Sequence, residues 1–372
     1  MSISEFQVSL GAVNHNLRLA AELGGDRAVL AAVKANAYGH GLTEVARSIE
    51  REGTAQLLGV ALVTEASQLR AAGVQLPILK FTLTLADELD EALANDVTLT
   101  VADAAGIHAA SRAAARTGVA ANVHLKVDTG MRRIGAEPGQ APRLARLVAA
   151  DPNLNLEGIY THLPISDTPA GAKFTRAELD SFEQVVAAVT SAVGPVKWVH
   201  SANSGAVLSH ELGSSNLIRP GIMIYGSYPD HETPHTRELV PVSRWTAPVT
   251  FVKKVRAGET VGYGRTWTAP ADTWIATVAV GYGDGYSRLL SNKGRMLIAG
   301  RPRPVVGRVC MDQTMVDLGP DAPNVTIGEE AVLIGAQGEH EITVWELADL
   351  MGTIPYEVTC LITSRVRRTY VA

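Results

Sequence analysis

Between residues 28 and 219, short apolar or β-branched runs alternate eight times with Ala-, Leu-, Glu- and Arg-rich stretches of helical period. The runs are 28–34 (AVLAAVK), 57–62 (LLGVAL), 77–81 (PILKF), 97–101 (VTLTV), 121–127 (ANVHLKV), 154–161 (LNLEGIYT), 196–200 (VKWVH) and 216–219 (NLIR). This is the signature of repeated βα units. Eight units within about 230 residues predict an α/β fold, a (β/α)8 barrel of the TIM type, preceded by a helix over about residues 9–23. After residue 240 the helical pattern nearly vanishes. Strands are expected at 247–255, 274–280, 304–309 and 364–371 between Gly and Pro turns, which predicts a C-terminal, mostly-β domain. The barrel is accordingly put at 1–238 and the β domain at 239–372.

Composition narrows the function. The 372 residues are 46% hydrophobic and 19% charged, enough to bury two cores. A formal charge of −5 with no block of like charges points to neither nucleic acid nor an anionic membrane surface, so a small molecule is the expected partner. The first residues lack a basic segment before an apolar one, and no apolar stretch reaches the roughly 18 residues that span a bilayer. A cytoplasmic protein with no membrane partner is expected. Cys310 and Cys360 lack a Cys-x-x-Cys partner and are read as free thiols. No metal is expected: HETPH (231–235) resembles a zinc motif, but that motif needs a helix, which Pro234 opposes.

On a barrel of this type, chemistry sits where strands end and βα loops begin. Polar residues fall there. Lys34 ends the first run, Lys126 and Arg133 flank the end of the fifth, His162 follows the sixth, His200, Asn203 and Ser204 follow the seventh, and Arg219 ends the eighth. Packing does not explain such a ring, because buried charges are costly unless paired. Barrels often hold phosphate at the loops after strands seven and eight. SANSGA (201–206) and RPGIMIYG (219–226) lie in those places, with Ser204 as a hydroxyl donor and Gly221 as backbone that a ligand can approach. A phosphate site beside a buried lysine suggests pyridoxal phosphate, since a lysine amine desolvated by an apolar approach such as AVLAAV can attack an aldehyde.

The same residues resemble the bacterial alanine racemases. The resemblance runs through AAVKANAYGHG (31–41), HLKVDTGMRRIG (124–135), GIYTHL (158–163), HSANSGA (200–206), IRPGIMIYG (218–226), VGYGRTW (261–267), VAVGYGDGY (278–286), GRVCMDQ (307–313) and IPYEV (354–358). Each motif is weak alone; nine in order are specific. Near the N-terminus, Ser9 stands where the family has an acidic residue.

The resemblance implies a homodimer that interconverts L- and D-alanine with pyridoxal 5'-phosphate, supplying D-alanine for peptidoglycan. Lys34 would carry the cofactor and act as base on one face of the substrate Cα, with Tyr263, brought by the partner subunit, on the other. Arg219, backed by His162, would pair with the pyridine nitrogen and leave it unprotonated. Tyr38, Ser204, Gly221, Ile222 and Tyr356 would hold the phosphate, while Arg133 and the backbone of Met311 would receive the substrate carboxylate. Lys126 would support Arg133, either carbamylated or as a plain lysine. A serine or broad-specificity amino-acid racemase on the same fold is the alternative, because a pocket discriminates only weakly against one added hydroxyl.

Overall fold

The computed structural model describes residues 4–321 and 325–372. By its contacts the chain forms two compact units, one of residues 13–37 and 41–240, the other of 4–12, 38–40 and 241–372. The first strand, β1 (Glu5–Ser9), belongs to the second of these. It leads into a helix, Leu10–Gly24, close to the expected span.

The next eight strands make the barrel: β2 (Ala28–Ala32), β3 (Leu57–Val60), β4 (Ile78–Leu83), β5 (Val97–Val101), β6 (Ala121–Lys126), β7 (Leu154–Tyr160), β8 (Trp198–His200) and β9 (Leu217–Ile218). Each falls on an expected run. All are parallel, in the order β8-β7-β6-β5-β4-β3-β2-β9. At the two ends of that order, Asn216 closes the ring: its backbone N–H donates to the Val199 carbonyl (2.9 Å) and its Oδ1 accepts the Val199 N–H (2.8 Å). Every residue of β3 and β5 is buried, as a strand covered on both faces must be.

Polar side chains also fill part of the interior. Thr100 of β5 meets the Tyr160 hydroxyl of β7 (2.8 Å), and His124 of β6 meets His200 of β8 (2.9 Å). Both contacts skip a strand, so they cross the barrel. Gly158 makes room for one of them, because a Cβ there would lie 2.6 Å from the His124 ring.

The second unit is a sheet. Beside β1, its strands are β10 (Ser243–Val255), β11 (Thr260–Val261), β12 (Trp267–Thr268), β13 (Thr273–Val278), β14 (Arg295–Ile298), β15 (Arg301–Pro304), β16 (Thr314–Gly319), β17 (Glu330–Gln337), β18 (His340–Ile342) and β19 (Arg367–Val371). The main path runs β15-β14-β17-β10-β1-β19, with β13 on β10 and β16, while β11 and β12 form a separate ribbon. β1 pairs antiparallel with β10 and parallel with β19, burying Phe6 and Val8. Residues 38–40 join this unit, where Arg368 Nε donates to the Gly39 carbonyl (2.7 Å).

Two expectations for this region change. The strand expected at 304–309 ends at Pro304, which has no N–H to donate; beyond it Val305 keeps one isolated bridge to Val316, and Gly307 turns the chain at φ +76°. Two short helices, Val344–Met351 and Pro355–Cys360, interrupt the strands. The first has a readable start in T-x-x-E, where Thr343 Oγ1 accepts the Glu346 N–H at 3.1 Å. Among the described residues, no helix is long and apolar enough to cross a membrane.

Candidate active site

Lys34 follows the end of β2, and the chain behind it does something unusual. Ala35, Asn36, Ala37 and Tyr38 all adopt left-handed backbone, with φ between 53° and 55°. That conformation costs a non-glycine residue roughly 1–2 kcal/mol, so the turn persists only because its surroundings hold it.

Four cations of the barrel unit converge. The imidazole of His162 is held well below its usual range, first by burial and then by Arg219, Lys126, Arg133 and Lys34. Lys126, at the end of β6, is pushed down to about 7 by burial, Arg219 and Arg133, against the pull of Asp128. Its Nζ lies 5.2 Å from the centre of the Tyr160 ring, and the Arg219 guanidinium is 5.4 Å from the same ring. Arg133 is exposed on a loop shaped by Asp128, whose Oδ1 accepts the N–H groups of Gly130 (2.9 Å) and Arg132 (3.1 Å).

Arg219 is 5% exposed and densely bonded. One terminal nitrogen donates to His200 Nδ1 (2.9 Å); the other donates to the carbonyls of Thr161 and Ser201 (2.9 Å each) and faces His162 Nδ1 (3.4 Å). Among the described residues, these bonds leave Nε–H to meet a ligand. Because a guanidinium only donates, the tautomers behind it follow. His200 must accept at Nδ1 and donate from Nε2 to His124 Nδ1 (2.9 Å), which leaves the His124 Nε2–H facing Glu157 Oε2 at 3.5 Å. Glu157, held down at about 2 by His124 and Lys197, ends the chain as an anion.

On the loops after β8 and β9, Asn203 caps the helix Ser204–Ser209 by accepting the Ala206 N–H at 3.0 Å. Ser204 Oγ accepts the N–H groups of Gly221 (2.9 Å) and Met223 (3.4 Å), so Ser204, Gly221 and Ile222 are brought together.

The remaining expected residues lie in the second unit. The rings of Tyr38 and Tyr356 are 5.9 Å apart, and burial raises the Tyr38 phenol. Tyr263 stands 73% exposed on a turn between β11 and β12, flanked by Gly262 and Gly264 at φ +73° and +71°. Met311 is also exposed; its carbonyl accepts the Gly283 N–H at 2.9 Å, and among the described residues its own N–H meets no acceptor.

Comparison with known proteins decides the family. Residues 8–229 match the alanine racemase N-terminal domain and residues 242–370 the alanine racemase C-terminal domain. The chain belongs to the alanine racemase family. It is 49% identical to the alanine racemase of Cutibacterium acnes over 98% of this chain and 96% of that one, and 43% identical to that of Chlorobaculum tepidum over 100% and 96%. Among solved structures, the alanine racemase of the D-cycloserine producer Streptomyces lavendulae superposes with a TM-score of 0.94 at 34% identity, covering 100% of this chain and 98% of that one. The Bacillus anthracis alanine racemase with bound L-Ala-P gives 0.93 at 33% identity, covering 100% and 96%.

For this family member, reading the sequence misses Glu65, His124 and Glu157. The only signals are a histidine at an inward position of β6, and a glutamate three residues into the helix Val63–Ala71. The buried imidazoles have a consequence for stability. His124, His162 and His200 all resist protonation, chiefly through burial, whereas in the unfolded chain each takes a proton below about pH 6.5. Their folded pKa values are depressed, so the stability they contribute is present above the unfolded value of about 6.5 and is lost as pH falls below it. Glu178, raised to about 7 by burial and Asp128, binds its proton in the folded state first and opposes one of the three. The net expectation is a loss of stability between pH 6 and pH 5, read as a falling urea-unfolding midpoint of the ligand-free protein. A midpoint that stays level across that interval would show that the three imidazoles are not all neutral.

Proposed function

We propose that this chain interconverts L- and D-alanine in the cytoplasm, as a homodimer that uses pyridoxal 5'-phosphate and supplies D-alanine for peptidoglycan. The observation that carries this reading is the convergence of Lys34, Lys126, Arg133 and Arg219 about His162, with Arg219 Nε–H left to meet a ligand. The residues fit the cofactor. An anionic phosphate suits this cationic end of the barrel and the Ser204, Gly221 and Ile222 cradle, with Tyr38 and Tyr356 as further donors. A ring nitrogen suits the Arg219 Nε–H, which leaves no proton to spare for it. When bound, the cofactor delocalises the negative charge left on the substrate Cα when its proton departs.

The chain's residues do the rest. Lys34 anchors the cofactor and, once released, moves the Cα proton of D-alanine. Tyr263 moves that of L-alanine from the opposite face, because inversion needs a proton removed on one side and returned on the other. Arg133 and the Met311 N–H hold the carboxylate. Lys126, held down at about 7, has enough neutral amine near that pH to add carbon dioxide and release one proton; the resulting carbamate would be an anionic partner for Arg133. The exposure of Tyr263 supports a base offered outward to a second subunit rather than one sealed within its own.

Composite sites make an additive test. Lys34→Ala and Tyr263→Phe subunits, each inactive alone, should recover activity when mixed, because a statistical hybrid dimer has one site with both bases. Assays with both enantiomers of alanine and serine report the substrate. No recovery, despite demonstrated subunit exchange, would place both bases in one chain.

A further inference from the structure

The left-handed run behind Lys34 contains no glycine, and two alanines and a tyrosine have no intrinsic reason to adopt it. Its hold comes from another loop. Glu65, 9% exposed, uses both carboxylate oxygens: Oε1 accepts the N–H groups of Ala35 (2.6 Å) and Asn36 (3.4 Å), and Oε2 accepts those of Ala61 (2.8 Å) and Leu62 (3.1 Å). The second pair is an ordinary helix cap, since Glu65 is the third residue of the helix Val63–Ala71. The first pair is not. It ties the loop after β2 to the loop after β3, and it begins at the amide immediately following Lys34. The far side of the run is also pinned, because Asn36 Oδ1 accepts the Leu42 N–H (2.8 Å) and the Asn36 carbonyl accepts the Gly41 N–H (2.9 Å).

We propose that Glu65 is a positioning residue for Lys34. An ionised carboxylate is acceptor-only and has about four lone-pair directions, so it alone among side chains of this size satisfies four converging N–H groups. With the amide of residue 35 clamped, the Cα–Cβ direction of Lys34 is set by rigid elements on both sides rather than by the lysine's own flexible stem. Both Glu65 oxygens are taken up by backbone N–H groups, so its effect passes through Lys34. Glutamine cannot replace it, because whichever way the amide turns, its NH2 faces one pair of donors. The clamp rests on geometry; its catalytic meaning rests on Lys34 being the reactive amine.

The test compares the wild-type protein with Glu65→Gln, Glu65→Ala and a control, Asp103→Ala, which removes the N-cap of a different barrel helix (Gly106 N–H to Asp103 Oδ1, 2.7 Å). In the ligand-free protein, amide hydrogen exchange at residues 35 and 36 should rise by about 10- to 100-fold in Glu65→Gln and not in Asp103→Ala, the scale expected for losing a hydrogen bond to a charged acceptor. If Glu65→Ala fails to fold, Glu65→Gln carries the comparison. With pyridoxal 5'-phosphate supplied, kcat should fall by about 10- to 100-fold while KM for D-alanine stays near the wild-type value, since misplacement of the base affects the chemical step. Faster exchange confined to residues 61 and 62 would reduce Glu65 to a helix cap and overturn the proposal. So would a loosened 35–36 segment with undiminished kcat. A wild-type protein that shows the exchange pattern but racemises nothing would sink the functional reading and leave the clamp on Lys34 standing.

Discussion

Lys34→Ala is expected to lower racemisation by about 10^4-fold or more, because in the proposed mechanism the substitution removes both a covalent anchor and a general base, and a base alone is worth about 10^2- to 10^4-fold. The fold should survive. Lys34 lies just past the C-terminal end of a barrel strand whose core is built from other residues, so its truncation leaves that core intact. Activity must therefore be read against a demonstrably folded variant. Borohydride treatment of the wild-type protein loaded with pyridoxal 5'-phosphate should fix the label on the peptide containing Lys34. Lys126 and Lys80 are the informative competitors, since both are buried and both are held below the usual lysine range. Lys80 is engaged, with its Nζ donating to Thr82 Oγ1 (2.9 Å) and the Leu83 carbonyl (2.8 Å). Label on either would reassign the anchor.

Tyr263→Phe should divide the two enantiomers. The equilibrium constant between mirror images in water is one, so steady-state racemisation must fall in both directions when either base is lost. Exchange of the Cα hydrogen with heavy water carries no such constraint. With Lys34 intact, D-alanine should keep exchanging, while L-alanine exchange should fall by about 100-fold or more, the usual size of a lost general base. Equal losses for both enantiomers would mean that one residue serves both faces. Tyr263 is suited to this test because phenylalanine keeps the aromatic ring and removes only the hydroxyl.

Much of the candidate site was legible because barrel chemistry sits at strand ends, and the ends of strands are visible in the apolar runs. Lys34, Lys126, Arg133, His162, Ser204 and Arg219 become candidates by that rule, and the family resemblance adds Tyr38, Tyr263, Met311 and Tyr356 as candidates. The supporting residues were not legible. His124 reads as one polar residue in a strand, and only the β6–β8 crossing contact makes it the partner of His200. Glu65 reads as a helix-start glutamate, and only the approach of two loops lets it bond residues 35 and 36.

What the amino-acid sequence determined by itself is periodic and local: eight βα repeats, a change of character near residue 240, the lysine at the end of an apolar run, and the motifs that mark the family. These follow from which residues must be covered and which turn the chain. Tertiary structure alone decided the features that depend on separated segments meeting. It closed the barrel through Asn216 and Val199, and it placed β1 between β10 and β19, more than 230 residues away in the first case and about 360 in the second. It ordered a hydrogen-bonded chain from Arg219 through His200 to His124, which faces Glu157 at 3.5 Å, and it held four non-glycine residues left-handed behind Lys34. The reason is physical: backbone preference disfavours that turn, and bonds from outside it, among them those of a carboxylate arriving from another loop, hold it in place.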